Sequence, residues 1–419
     1  MIASTPHLVR LEDVATFLGG STPSRTRPQY FGGGIPWVKT TDLNNGLISE
    51  TEETLSPLGL AESSCKMIPA NAILVAMYGG FNQIGRTGLL QQESAINQAL
   101  TAVIPDPRKL APAFLLEWLN LRVGYWKRFA GSSRKDPNIT KGNIADFPVP
   151  LMPVDQQIAS ACILATWNLG IEKTERLIAA KLKRNEILSN QLLFGHARFR
   201  QRNTKTTRAL HWFSAPSDWQ VMEIGKVARE VSTLNGSDSD LPVLSCTKYD
   251  GLVDSLKYFD KQVFSQDTSK YKVVRHGQFA YATNHIEEGS IGYQDLVHAG
   301  LVSPIYTVFQ ADAKMIDDGY FYKLLKTEKL RQIFAANTNS SVDRRGSLRW
   351  KDFARIHIPL PPVDEQREIN AMLDDAKREI ALLQAEVKVL KTQKRGLMQK
   401  LLTGQWRVTV PTPREVSDA

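Results

Sequence analysis

The chain has 419 residues, 42% hydrophobic and 23% charged, and 52 Lys and Arg against 43 Asp and Glu give it a net charge of +9. That length exceeds what one core supports, so several domains are expected, and the composition excludes a disordered, fibrous or collagen-like chain. The basic balance, with a sequence pI near 9.3, admits an anionic partner but does not require one.

Three cysteines, Cys65, Cys162 and Cys246, lie far apart and without metal-ligand spacing. They predict a reducing compartment and no disulfide framework. Neither a signal-like N-terminus nor an apolar run of membrane-span length is present. The expectation is a cytoplasmic protein without a membrane partner.

In chain order, residues 1–153 read as a mixed α/β domain. Ala72 to Met77 is an apolar run suited to a buried strand, and Phe114 to Trp126 has helical spacing, with Leu115, Leu119, Arg122 and Trp126 on one side. Gly32-Gly33-Gly34, Asn44-Asn45-Gly46 and Gly79-Gly80 mark turns. A long helix then fills 154–197. It is expected to be capped by Asp155 and stopped by Gly195 in the left-handed conformation. Residues 198–210 form a linker in which Arg198, Arg200, Arg202, Lys205 and Arg208 stand without an acid. Such a run reads as a solvated face before it reads as a phosphate contact. The second domain, 211–361, repeats the order with a strand at Gly277 to Ala282 and a helix from about Tyr320 to Phe334. A second long helix at 362–404 starts at Asp364 and stops at Gly404. A tail at 405–419 is expected to lack structure past Val410.

The chain contains itself twice. Pro153-Val154-Asp155-Gln156-Gln157 returns as Pro362-Val363-Asp364-Glu365-Gln366, and Leu192-Leu193-Phe194-Gly195 returns as Leu401-Leu402-Thr403-Gly404. The offset of 209 positions is the same at both ends of the helix, so its length is held. Upstream, Ile35-Pro36 matches Leu241-Pro242, Ile73 to Ala76 matches Phe279 to Ala282, and Asp146-Phe147 matches Asp352-Phe353, each 206 apart. The second long helix carries a heptad seam of Ile369, Leu373, Ala376, Ile380, Leu383, Val387, Leu390, Leu397 and Leu401, broken only by Lys394. The first carries Leu164, Trp167, Ile171, Ile178, Leu188 and Leu192 in the same frame, broken by Ser160, Thr174, Lys181 and Asn185. The two seams predict an antiparallel coiled coil in a pseudo-two-fold monomer. A rigid pair would also act as a ruler.

Between the shared apolar positions the polar residues differ. The first half offers Trp37, Lys39, Thr40 and Thr41, then Tyr78 and Arg86, then Ser132, Ser133, Arg134 and Lys135. The second offers Ser245, Thr247, Lys248 and Tyr249, then Asn284 and His285, then Ser340, Arg344 and Arg345. Arg and Lys can reach guanine or phosphate, Asn can pair with adenine, and Ser and Thr suit either. Any one is an ordinary loop residue; recurrence at three equivalent loops makes them candidates for DNA contact.

The chain offers little chemistry of its own. Gly80 to Thr87 imitates a phosphate loop but has Arg86 where lysine is required, and its continuation starts a helix poorly. There is no methyltransferase Asn/Asp-Pro-Pro-Tyr motif, no dinucleotide fingerprint, no zinc cluster, and the seven histidines do not group. No catalytic residues, metal or cofactor are expected in this chain.

The repeated Pro-rich strand and Asp-x-Gln helix start, Phe147 to Gln157 and Ile358 to Gln366, together with Gly131 to Ile139, resembles the specificity subunit of type I restriction-modification systems over essentially the whole length. The resemblance implies a duplicated α/β (α+β) fold of two target recognition domains joined by two long antiparallel coiled-coil helices. It implies recognition of double-stranded DNA with a split target, assembly with two methyltransferase subunits, and restriction subunits as further companions. S-adenosylmethionine, ATP and Mg would reside in those partners, which carry adenine methylation and cleavage. The first copy departs from the motif at Met152 and Gln156. Two other classes stay open from the residues alone: a coiled-coil scaffold without nucleic acid, and a nucleotide-using enzyme built on Gly80 to Thr87. Salt-sensitive DNA binding separates out the first; nucleotide binding lost on changing Arg86 would establish the second.

Overall fold

A computed structural model describes residues 7–80, 82–129, 138–199, 206–236, 241–338 and 346–408. The chain divides into two compact units, residues 1–176 with 384–419 and residues 177–383. Each unit therefore holds one mixed domain, the start of the long helix that follows it and the end of the other long helix. Both boundaries between the units fall inside the long helices.

In the first unit an antiparallel strand pair, Leu100–Pro105 beside Ile73–Ala76, forms the centre of a five-stranded sheet with Ala15–Gly19, Thr87–Leu90 and Leu47–Ile48. Every residue of Ile73–Ala76 is buried, as its unbroken apolar run requires. A smaller four-stranded sheet carries Phe31–Val38 between Glu53–Leu55 and Ser94–Ile96. The second unit repeats the main layer: Phe279–Ala282 lies between Tyr306–Ala311 and Ile291–Tyr293, with Ala228–Val231 outside.

Each main sheet packs against helices that differ from expectation at their ends. The first is Pro112–Leu121, followed by a separate turn Gly124–Lys127. The one helix expected from Tyr320 to Phe334 is two, Asp318–Leu325 and Glu328–Asn337, because Thr327 caps a new start by accepting from Leu330 N. Phe114, Leu115, Leu119, Tyr320, Phe321 and Leu324 are fully buried beneath the sheets.

The long helices span Val154–Leu193 and Val363–Leu401, 40 and 39 residues. They begin one residue before the acids, so Asp155 and Asp364 stand in the first turn, where Asp364 Oδ1 accepts from the Glu365 amide at 3.0 Å. Gly195 and Gly404 do adopt φ of 71° and 69°, and a Cβ on Gly195 would overlap Pro216. Within the first unit, Gln156 meets Val408, Glu175 meets Lys391 at 2.6 Å, and Leu164 shares a core with Leu401 and Leu402. Within the second, Lys181 meets Glu379 at 2.7 Å and Leu188 packs on the core that holds Ile369 and Leu373. As residue number rises on one helix it falls on the other, so the pairing is antiparallel in both units. Ile369, Leu373, Ile380, Val387 and Leu401 are buried along the seam.

The repeated glutamine of the motif has a structural task. Gln157 is fully buried, accepts from Ala111 N at 2.8 Å and donates to Lys109 O and Met152 O. Gln366 does the same with Asp317 N at 2.7 Å, Met315 O and Pro361 O. Both close the backbone groups of the loop entering the domain helix, which would otherwise be buried without partners.

Candidate nucleic-acid interface

In each unit the buried central strand ends where the candidate loops begin. Ile73–Ala76 runs into Met77-Tyr78, and Phe279–Ala282 into Thr283-Asn284-His285. The chain returns from the third loop region onto the same spot: Ile139 N donates to Met77 O at 3.1 Å, and Leu348 N to Thr283 O at 2.8 Å. Ser132, Ser133, Arg134, Lys135, Ser340, Arg344 and Arg345 lie outside the described residues. Their flanking segments reach the second loop at positions 206 apart.

The first loop joins this edge in both units. In the first, Asn45 in left-handed conformation exchanges backbone and side-chain bonds with Thr87, directly after Arg86. In the second, Gly251 holds the equivalent left-handed position, and a Cβ on Gly292 would meet Leu252 N. Two of the three loop sets are thus joined through the described backbone, and the described residues that follow the third, Ile139 and Leu348, bond to the second.

The individual candidates differ in how free they are. Lys39 Nζ is engaged by Glu52 at 2.8 Å and Glu53 at 2.7 Å, and these carboxylates raise its pKa. Arg25 and Lys39 together hold the Glu53 carboxyl down at about 2. Arg25 also lies over Phe31 and Trp37, so Trp37 is a buried core residue and not a contact surface. Thr40 is half-buried and Thr41 exposed on the short turn after Lys39. Tyr78 is exposed, and Arg86 is half-buried with no ion pair among the described residues.

In the second unit, Ser245 shares a 2.6 Å bond with Ser255 and Thr247 Oγ1 accepts from Asp250 N at 2.9 Å, so both serve the hairpin Leu244–Thr247 and Gly251–Asp254. Tyr249 is 79% exposed, with Lys248 Nζ 5.2 Å from its ring centroid. This gives a cation on an aromatic face, open to a base or phosphate. Asn284 Oδ1 has no hydrogen-bond partner among the described residues. His285 is exposed and contacts Glu288 at 3.1 Å. Asn82 to Arg86 lies in a turn between two antiparallel strands, with Gln83 N and Ile84 N bonded to Gly80 O. No helix follows, and a phosphate loop needs one.

Residues missed from sequence matter as much. Asn120 and Lys326 hold the loops. Arg198, read as part of a solvated linker, has only 4% of its side chain exposed and pairs with Glu365 at 2.7 Å and Asp218 at 2.9 Å. The seam break Lys394 is an ion pair to Glu117 at 3.1 Å. Lone polar residues carry no periodic signal, so only their partners could have revealed them.

The family model for the type I restriction modification DNA specificity domain matches residues 6–182 and again 216–392. Over 425 residues the chain is 21% identical to the type I restriction enzyme MjaIX specificity subunit of Methanocaldococcus jannaschii, covering 95% of this chain and 93% of that protein. It is 29% identical over 161 residues to the EcoR124I/EcoR124II specificity subunit of Escherichia coli, 35% of this chain and 37% of that one. Among solved structures, the S subunit of a type I restriction-modification system from M. genitalium superposes with a TM-score of 0.55 at 13% identity, over 95% of this chain and 99% of that one. HsdS from Thermoanaerobacter tengcongensis superposes with a TM-score of 0.51 at 17% identity, over 96% and 97%. At these identities the structural likeness speaks for the fold.

Proposed function

The chain belongs to the family of type I restriction-modification DNA specificity proteins, with one copy of the domain in each half, and from that premise we propose that each unit reads one half of a split duplex target. The observation that carries this is the shared loop edge: after the same central strand, Tyr78 stands in one unit where Asn284 stands in the other, with Arg86 further along the first loop and His285 beside Asn284 in the second. Base edges are read by such side chains, whereas the apolar framework only aims them. In the second unit Lys248 supplies phosphate charge and Tyr249 an exposed ring; in the first, Arg86 is the available cation.

The chain itself performs no methyl transfer, cleavage or ATP hydrolysis. Two methyltransferase subunits dock on it, one per unit, using the Lys- and Arg-rich outer faces of residues 172–186 and 377–400 with adjoining domain surface. They bring S-adenosylmethionine for adenine methylation; restriction subunits, where present, bring ATP and Mg. The setting is the cytoplasm, where the DNA is, and among the described residues no helix is long and apolar enough to cross a membrane.

The test is methylation mapping with the complete complex. Replacing Lys248 and Tyr249 with Ala should relax or change one half of the methylated sequence and leave the other intact. Simultaneous change of both halves, or turnover by the highly purified chain alone, would overturn the reading.

A further inference from the structure

One scaffold position just behind the loops is polar in both units. Asn120, near the end of helix Pro112–Leu121, and Lys326, which caps the end of Asp318–Leu325, are 206 positions apart, the offset that relates the two domains. Neither lies on a loop that was a candidate for DNA contact.

Lys326 reaches the loops from behind. Its Nζ donates to Lys248 O at 2.7 Å, Gly289 O at 2.9 Å and Ile291 O at 3.4 Å. Three donors meet three backbone carbonyls, and no carboxylate pairs with it among the described residues. Lys248 O belongs to the first loop; Gly289 ends the second, five residues after Asn284. Arg331 adds a bond to Glu287 O at 3.1 Å. Burial lowers the Lys326 pKa, so the contact forms against a desolvation cost and not on an open surface.

Asn120 does the same work with a shorter side chain. Its Nδ2 donates to Asn45 O at 2.8 Å, and its Oδ1 accepts from Thr87 Oγ1 at 2.7 Å. Asn45 follows the first loop and Thr87 follows Arg86 of the second. Thr87 is fully buried, so the bond is shielded from water.

We propose that Lys326 and Asn120 are positioning residues for target reading: each clasps the first and second loops of its own unit together and so sets half-site specificity without touching DNA. This rests on the reading of both units as DNA-reading domains. The physical reason is that a base contact depends on sub-ångström placement of a side chain whose loop has little core of its own. A clasp on backbone carbonyls holds the loop spacing while leaving the outward side chains free to vary.

The experiment uses the full chain with its methyltransferase partner and a randomised duplex library. Lys326→Met should lower discrimination at the half-site read by the second unit by at least about fivefold, the low end of one good base contact. Discrimination at the other half-site should not change. Asn120→Leu should do the reverse. Lys326→Gln, which keeps amide donors, should fall between wild type and Lys326→Met. Should a variant lose stability, hydrogen exchange on the free full-length chain gives the second reading. Amides at 248–252 and 286–292 should exchange faster in Lys326→Gln while those of Phe279–Ala282 hold. Wild-type complex that discriminates among duplexes, with variants that match it in both assays, would overturn the clasp. Equal loss at both half-sites would overturn it as well. A wild-type complex that discriminates nothing would instead remove the DNA-reading premise.

Discussion

The two units solve the same closure problem with different charges. At the start of the second long helix, Glu365 accepts from Nε and Nη2 of Arg198, one edge of the guanidinium, at 2.9 and 2.7 Å, and also accepts from Trp219 Nε1. The matching residue of the first unit is Gln156, which bonds the main chain of Val408 in both directions, at 2.8 and 3.1 Å, and carries no charge. On the domain helices, Glu117 accepts from Asn168 at 2.6 Å and pairs with Lys394. Its counterpart 206 positions on is Lys323, which donates to Asn370 and pairs with Asp374 at 2.7 Å. Gln157 and Gln366 by contrast are the same. Contacts that satisfy backbone groups are fixed by the fold; contacts between side chains need only agree with each other. Each domain is thereby matched to its own helix ends. In an exchanged arrangement Glu117 would face Asp374 and Lys323 would face Lys394, like charges in partly desolvated sites.

The largest expected effect lies where the comparison is sharpest. Glu365→Ala takes the buried carboxylate away from the buried Arg198 side chain and should cost about 3–5 kcal/mol, the range for breaking a buried pair. Glu365→Gln, which installs the first unit's residue, should recover only part, because the amide cannot neutralise Arg198. The converse Gln156→Glu meets main-chain groups at a half-buried site and should cost far less. Denaturant melts of the three full-length variants check this, and equal losses would break the comparison.

Next in size is the pair across the first unit's domain helix. Glu117→Leu and Lys394→Met should each cost somewhat less than the ~3–5 kcal/mol of a fully buried pair, because the Lys394 side chain keeps 18% exposure. The double variant should lose less than the two singles added together, since removing both charges leaves neither stranded. Strict additivity in a double-mutant cycle would mean the contact holds nothing.

The duplication, the mixed fold, the two 40-residue-class helices and their glycine stops were all legible, because each rests on spacing or on a conformation only glycine adopts readily. The seam was legible except at its polar breaks: Lys394 read as a defect and is an ion pair. Arg198 misled for the related reason that composition sees a basic run and not the acid 167 positions away that buries one member of it. The single helix drawn from Tyr320 to Phe334 failed because periodicity continues smoothly across the cap at Thr327. At the interface, the loops could be listed but not weighed. Lys39 and Lys248 look equivalent as letters, and only the structure separates the one held by two acids from the one beside an exposed tyrosine.

The acid-facing loop gives a pH prediction confined to the first unit. Glu53 has its pKa lowered from the usual carboxylate value of 4.5 to about 2, chiefly by Arg25 and then by Lys39. A depressed carboxylate contributes stability that is fully present above 4.5 and is lost as pH falls through 2. Local stability around Trp37 should therefore decline across that window. Glu53→Gln should be less stable at neutral pH and flatter below 4.5. Tryptophan fluorescence of Trp37, compared with a Trp37→Phe control, follows it. A window identical in wild type and Glu53→Gln would assign the acid loss elsewhere.

The smallest effect separates the two lysines on DNA itself. Each phosphate neutralised by a cation contributes about 0.9 to the slope of log affinity against log salt. Lys248 has no carboxylate partner among the described residues, so its ammonium can release counterions from DNA, and Lys248→Ala should flatten the slope by nearly that amount. Lys39 already spends its charge on Glu52 and Glu53. Bringing it to a phosphate would mean breaking those bonds or adding DNA next to two carboxylates. Lys39→Ala should therefore leave the slope almost unchanged, or steepen binding slightly less than experimental scatter. Titrations of the assembled complex at several salt concentrations decide between them. Equal flattening by both variants would mean that Lys39 leaves its acids on binding and that the first loop rearranges; no flattening by either would mean that Lys248 meets no phosphate.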